Sequence, residues 1–130
     1  MQRIESPRVD DAAIEAEIRE RASVAARVTP EDVEAAIASE FYFTAADGVR
    51  GESQMGTSPA GLASSLERLT LCVLVLRNGF TVTGESACAS AENFKADIGR
   101  KVARQNAVNK VWPLLGYALA IALHQLEQTK

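Results

Sequence analysis

One histidine and two cysteines among 130 residues leave little material for metal cages or for Ser-His and Cys-His catalytic sets. Aromatic residues make up only 5% of the chain, so a core must come from aliphatic side chains and alanine. The longest apolar stretch, Leu114 to Leu123, is about half of what a bilayer span requires. No membrane element is expected. The start, Met1-Gln2-Arg3-Ile4-Glu5, is charged and lacks the apolar segment of a signal peptide. Positive charge is not in excess either. A net charge of −3 and a pI near 5.2 weigh against a general nucleic-acid coat protein, so a nucleic-acid partner is not expected. What is present is 47% hydrophobic residues, which suffices for the core of one domain.

The whole-chain charge hides an asymmetry. Residues 1–67 carry 6 Lys/Arg against 13 Asp/Glu, a net of −7, whereas residues 68–130 carry 8 against 4, a net of +4. Such halves either dock on each other or leave a basic face for an anion.

Along the chain, Asp10 to Arg27 reads as a solvated helix with a thin stripe of Ile14, Ile18, Ala22 and Ala25. Residues 1–28 therefore form an acidic, helical N-terminal segment whose first nine residues are expected to fray. Thr29-Pro30-Glu31-Asp32 is a strong helix start, and the helix is expected to end near Glu40, before the cluster Phe41-Tyr42-Phe43. The Gly, Ser and Pro content of residues 48–65 predicts a flexible loop.

Leu69 to Leu76 is a nearly uninterrupted apolar strand candidate, and Asn78-Gly79 then marks a hairpin turn into Phe80-Thr81-Val82-Thr83. A two-residue turn sets Val75 opposite Val82. It places Cys72 on one face and Cys88, opposite Leu69, on the other, so no disulfide is expected. Ser90 can cap a helix from Ala91 to about Val111, which Trp112-Pro113 interrupts. Leu114 to Gln125 then resumes a helix that is apolar nearly all round, and a homo-oligomer through this C-terminal helix is the natural way to bury it. The fold class expected is α+β. N-terminal helices precede one antiparallel β-hairpin (about 69–76 and 80–88), packed on a long C-terminal helix kinked at Pro113.

Arg100, Lys101, Arg104 and Asn106 crowd that helix, with Asn93 near its start. Arg100 and Arg104 are four apart and lie side by side, as a phosphate or carboxylate requires of two guanidinium forks. Asn93, Lys101 and Asn106 could add donors, and Phe80 a flat face for a base. The competing account is structural: Arg100 and Arg104 answer the acidic helices of residues 10–40. His124 has no acid or second histidine in the preceding turn, and Glu85 beside Ser86 lacks a base, so no catalytic set, metal site or cofactor is expected.

The block Arg77-Asn78-Gly79-Phe80-Thr81-Val82-Thr83-Gly84-Glu85-Ser86-Ala87-Cys88 continues with Glu92-Asn93-Phe94 and Ile98-Gly99-Arg100-Lys101. With Ala103-Arg104-Gln105-Asn106-Ala107, Asn109-Lys110-Val111-Trp112-Pro113-Leu114 and Gly116-Tyr117, it resembles the "gene product forty-nine / gene product sixty-six" family of tailed phages and prophages. Thr29-Pro30-Glu31 and Phe43-Thr44-Ala45-Ala46-Asp47-Gly48 share the resemblance, which makes residues 29–130 the phage-family domain. The resemblance implies a phage or prophage origin and a host-cytoplasm setting, and no reaction. Two roles fit such a chain. One is a non-enzymatic accessory protein that sequesters an anionic nucleotide, of cyclic or ADP-ribose type, to counter host defence. The other is a protein-interaction module that binds a host or phage factor without a small-molecule ligand.

Overall fold

A computed structural model describes residues 11–20, 25–53 and 64–129. The elements in order are α1 (Asp11–Glu20), α2 (Pro30–Ala36), β1 (Ile37–Thr44), α3 (Ala45–Ser53), a 3-10 turn (Ser64–Arg68), β2 (Leu69–Leu76), β3 (Thr81–Ala87) and α4 (Ala96–Gln128). The α+β class holds. The hairpin, however, is part of a three-stranded antiparallel sheet in the order β1-β2-β3. The first nine residues, expected to fray, lie outside the described residues, as does the centre of the expected loop. Its start is helix α3 and its end the 3-10 turn, rather than loop throughout.

Thr29 caps α2 as its sequence requires. Its hydroxyl accepts from the Asp32 N–H at 3.1 Å, and its own N–H donates to the Asp32 carboxylate at 2.9 Å. The helix is shorter than expected and ends at Ala36, where Ile37 turns extended. Residues 37–44 are then an edge strand of the sheet.

Between β2 and β3 the register differs by one from the two-residue turn. Leu74 pairs with Val82 and Val75 with Thr81, leaving a three-residue loop, Arg77-Asn78-Gly79. Gly79 adopts φ +88, and the Asn78 side-chain oxygen accepts from the Phe80 N–H at 3.0 Å. A type I turn closed by a left-handed residue needs that extra position. The same shift corrects the placement of Cys88. Ala87 is the partner of Leu69, and the Cys88 N–H donates to the Arg68 carbonyl, which puts Cys88 on the Cys72 side of the sheet. The two thiols are free because they sit four residues apart along the hairpin, about 13 Å.

Alternation along β2 divides the sheet. Thr70, Cys72, Leu74 and Leu76 point inward and are buried, joined by Val82 of β3. Against this face lie Ala103, Ala107, Val108 and Val111 of α4, with Val33 of α2 closing the core. Gly84 is the closest approach: a Cβ there would collide with the Ala103 carbonyl and the backbone of Ala107. Small residues on α4 and no side chain on β3 let helix and sheet touch backbone to backbone. Phe41, Phe43, Leu71, Val73 and Val75 lie on the opposite face, outside the buried core cluster. Phe41 is 56% exposed.

α4 begins at Ala96 rather than at Ala91, since the segment after Ser90 makes two isolated turns (Asn93 N–H to the Ser90 carbonyl, Phe94 N–H to the Ala91 carbonyl). It then runs uninterrupted through Pro113. Its 33 residues span about 50 Å, whereas an eight-residue strand spans about 26 Å. Half of the helix therefore has no sheet beneath it. Val111 is its last buried residue, and Leu114, Tyr117, Ile121, Leu123 and Leu126 beyond it are 37–72% exposed.

Tyr42 lies on the inner side of β1, in the pair with Cys72. Burial, then the neighbouring Cys72 and Glu40, push its phenol up from the ordinary 10.0 to about 12. The fold thus prefers the neutral phenol, and this contribution is complete below pH 10 and lost as pH rises through about 12. An ultraviolet titration is expected to show a tyrosine ionising near pH 12 that disappears in Tyr42→Phe.

Candidate functional site

The basic helix is two environments rather than one. Arg104 faces α2 and β1, where its Nε donates to Glu40 at 2.8 Å. Its two terminal nitrogens grip Glu34 in a bidentate pair at 2.8 and 3.1 Å. The guanidinium holds the Glu34 carboxyl below the usual carboxylate range, and the two glutamates raise Arg104 further above its own. Arg104 therefore joins the acidic half to the basic half, which is the structural account of the charge asymmetry. Arg100, one turn earlier, is exposed, and its guanidinium stands 5.7 Å from the centre of the Tyr42 ring.

The remaining candidates are dispersed. The Asn106 amide donates to the Glu85 carbonyl at 2.7 Å and stitches α4 to β3. Lys101 is exposed on α4, and Asn93 is exposed in the turn before it. Phe80 is 55% exposed at the hairpin turn. Arg100 shares a cleft with Thr70, near the start of β2, whereas Phe80 lies past its end; six strand residues separate the two, about 20 Å. Phe80 and Arg100 thus cannot hold one small ligand.

A cleft of about 210 Å³ opens at the N-terminal end of α4, with Thr70, Phe94, Ala96, Arg100, Asp47 and Glu67 among its lining residues. Its signal in the sequence was Thr70, the one hydroxyl in the apolar run Leu69–Leu76. Thr44 caps α3 through reciprocal bonds with Asp47, and those bonds lower the Asp47 carboxyl. Arg50 pairs with both Asp47 and Glu67. A second cleft of about 430 Å³ lies between α1, α2 and Trp112, and its carboxylates are already engaged: Asp11 by the Trp112 indole, Glu15 by Arg19 and Arg27, Glu31 by Arg19, and Glu34 by Arg104. Among the described residues no group of acids, cysteines and histidines could hold a metal ion, and no helix is long and apolar enough to cross a membrane.

The sequence profile of the phage protein (N4 Gp49/phage Sf6 gene 66) family matches residues 28–123, well over half of the chain. The chain belongs to this phage family. The family span opens at the Thr29 capping box, includes all three strands and both ends of the Arg104 bridge, and closes within the exposed half of α4. Helix α1 lies outside it. No curated protein and no solved structure matches the chain.

Proposed function

We propose that this phage protein is a non-enzymatic accessory protein of the host cytoplasm that acts through protein contact, its working form a homodimer joined along the exposed half of α4. The observation that carries this is the apolar arm beyond Val111. Leu114, Ile121, Leu123 and Leu126 are all at least 37% exposed on a helix with no sheet beneath it. From Leu114 to Gln128 the only charged residue is Glu127, so two copies meet without repulsion. Each arm offers on the order of 500 Å² of apolar surface, and two arms together reach the roughly 1,000 Å² at which stable interfaces begin. A lone apolar helix of this length is marginal in water, and pairing supplies the missing contacts.

The available side chains fit a binding role better than a reaction. His124 sits on the exposed arm, and burial pushes the Cys72 thiol up, away from the thiolate a nucleophile needs. Nucleotide sequestration draws less support, because Arg104 is committed to Glu34 and Glu40. The test is sedimentation of the full chain at micromolar concentration. A dimer whose melting midpoint rises with concentration is expected for the natural sequence, and a cooperatively folded monomer whose midpoint is independent of concentration for the double variant Ile121→Glu, Leu126→Glu. A natural chain that stays monomeric up to millimolar concentration excludes self-association through the arm.

A further inference from the structure

We infer that the cleft at the N-terminal end of α4 binds a small ligand bearing one singly charged oxyanion, a carboxylate or a phosphodiester group. Its volume of about 210 Å³ falls below the range typical of drug-sized ligands, so a small acid fits and a whole nucleotide does not. This site stands apart from the dimer arm, which lies at the other end of α4.

Two independent features point into the cleft. The first is the start of the helix. Lys95 occupies the cap position and makes no side-chain cap bond, which leaves the amides of Ala96, Asp97 and Ile98 without intrahelical acceptors at the positive end of a 33-residue helix. Ala96 lines the cleft. The second is Thr70. It is 3% exposed, and its hydroxyl has no hydrogen-bond partner among the described residues. Buried hydroxyls are nearly always paired, so this one is a donor held in waiting. Gly99 leaves room for it at the edge of the cleft: a Cβ there would come within 2.9 Å of the Thr70 Oγ1.

Arg100 supplies the third contact. It lines the same cleft and, among the described residues, forms no ion pair within 4.0 Å. Asp47 and Glu67 line the same cleft; Arg50 pairs with both, and Arg100 helps to lower the Asp47 carboxyl. Arg50 and Arg100 balance the two carboxylates, so the site has no net charge to offer. A single negative group is held by oriented N–H and O–H donors, whereas a dianion finds no excess positive charge to offset its second charge.

The experiment is a titration of the isotopically labelled full chain with benzoate, dimethyl phosphate and neutral benzamide, read at the backbone amides. Saturable shifts at Ala96, Asp97 and Ile98 are expected with an anion and not with benzamide, and the better anion identifies the source of the charge. Arg100→Gln is expected to weaken binding about tenfold or more. Thr70→Val is expected to raise the melting point of the free protein, since a methyl replaces an unpaired hydroxyl, and to weaken binding by about tenfold. Two results overturn the assignment: no saturable shift with either anion, or equal shifts with benzamide. A Thr70→Val protein that melts lower and binds as before also overturns it, because the hydroxyl then serves stability alone.

Discussion

Replacing Gly84 by alanine is expected to destabilise the fold by about 3 kcal/mol or more, at the upper end of overpacking costs, because the added methyl meets backbone and not a side chain that can swing away. At roughly 4 °C per kcal/mol for a domain of this size, the melting midpoint should fall by about 10 °C or more. Gly116→Ala is the matched control. Gly116 is helical with nothing within 4 Å of an added Cβ, so the same change there should stabilise by about 0.5–1 kcal/mol. Thermal or urea denaturation of the two variants side by side reads both signs. A Gly84→Ala protein that melts within a degree or two of the natural one would mean that α4 does not seat on β3 at this point.

The second large effect separates the two faces of the sheet. Leu74 is fully buried on the central strand, and Leu74→Ala is expected to cost about 3–4 kcal/mol, transfer and cavity together. Its neighbour Val73 points to the face that α4 leaves open, and Val73→Ala should cost about 1 kcal/mol or less. Equal costs in urea denaturation would show that something also packs on the outer face. If the outer face is covered only in an assembly, the Val73 cost should grow with protein concentration.

Much of this fold is legible in the residues. The Thr29 capping box, the β2–β3 hairpin and the long C-terminal helix all follow from local chemistry, because each is decided within a few neighbouring positions. Strand β1 is not legible for a physical reason. Its inward residues include Glu40, which reaches Arg104 from sixty-four positions away, while Phe41 and Phe43 point to the open face. The usual apolar alternation is thus inverted, and the run resembles the tail of a helix. The one-residue register difference has a similar origin: Asn78-Gly79 marks the turn, but the Asn78 side chain bonding the Phe80 N–H belongs to a loop one residue longer. The basic helix divides the same way. Spacing places Arg100 and Arg104 on one side of α4, and only the fold reveals that Glu34 and Glu40 claim the second and leave the first beside Thr70.

Pro113 gives the exposed half of α4 a mechanical character. Proline has no N–H to donate to the Asn109 carbonyl, so the helix is softest one residue after Trp112, whose indole N–H reaches Asp11 of α1 at 3.3 Å. The segment upstream is clamped to the sheet, and the segment downstream is a stiff rod of about 22 Å. A swing of about 10° at that pivot carries the tip through about 4 Å, roughly 0.7 of the 5.4 Å helical pitch. The arm is in this sense a lever with its fulcrum at the edge of the core. Whatever seats against its tip can set its angle without disturbing the packing of Val108 and Val111 behind it.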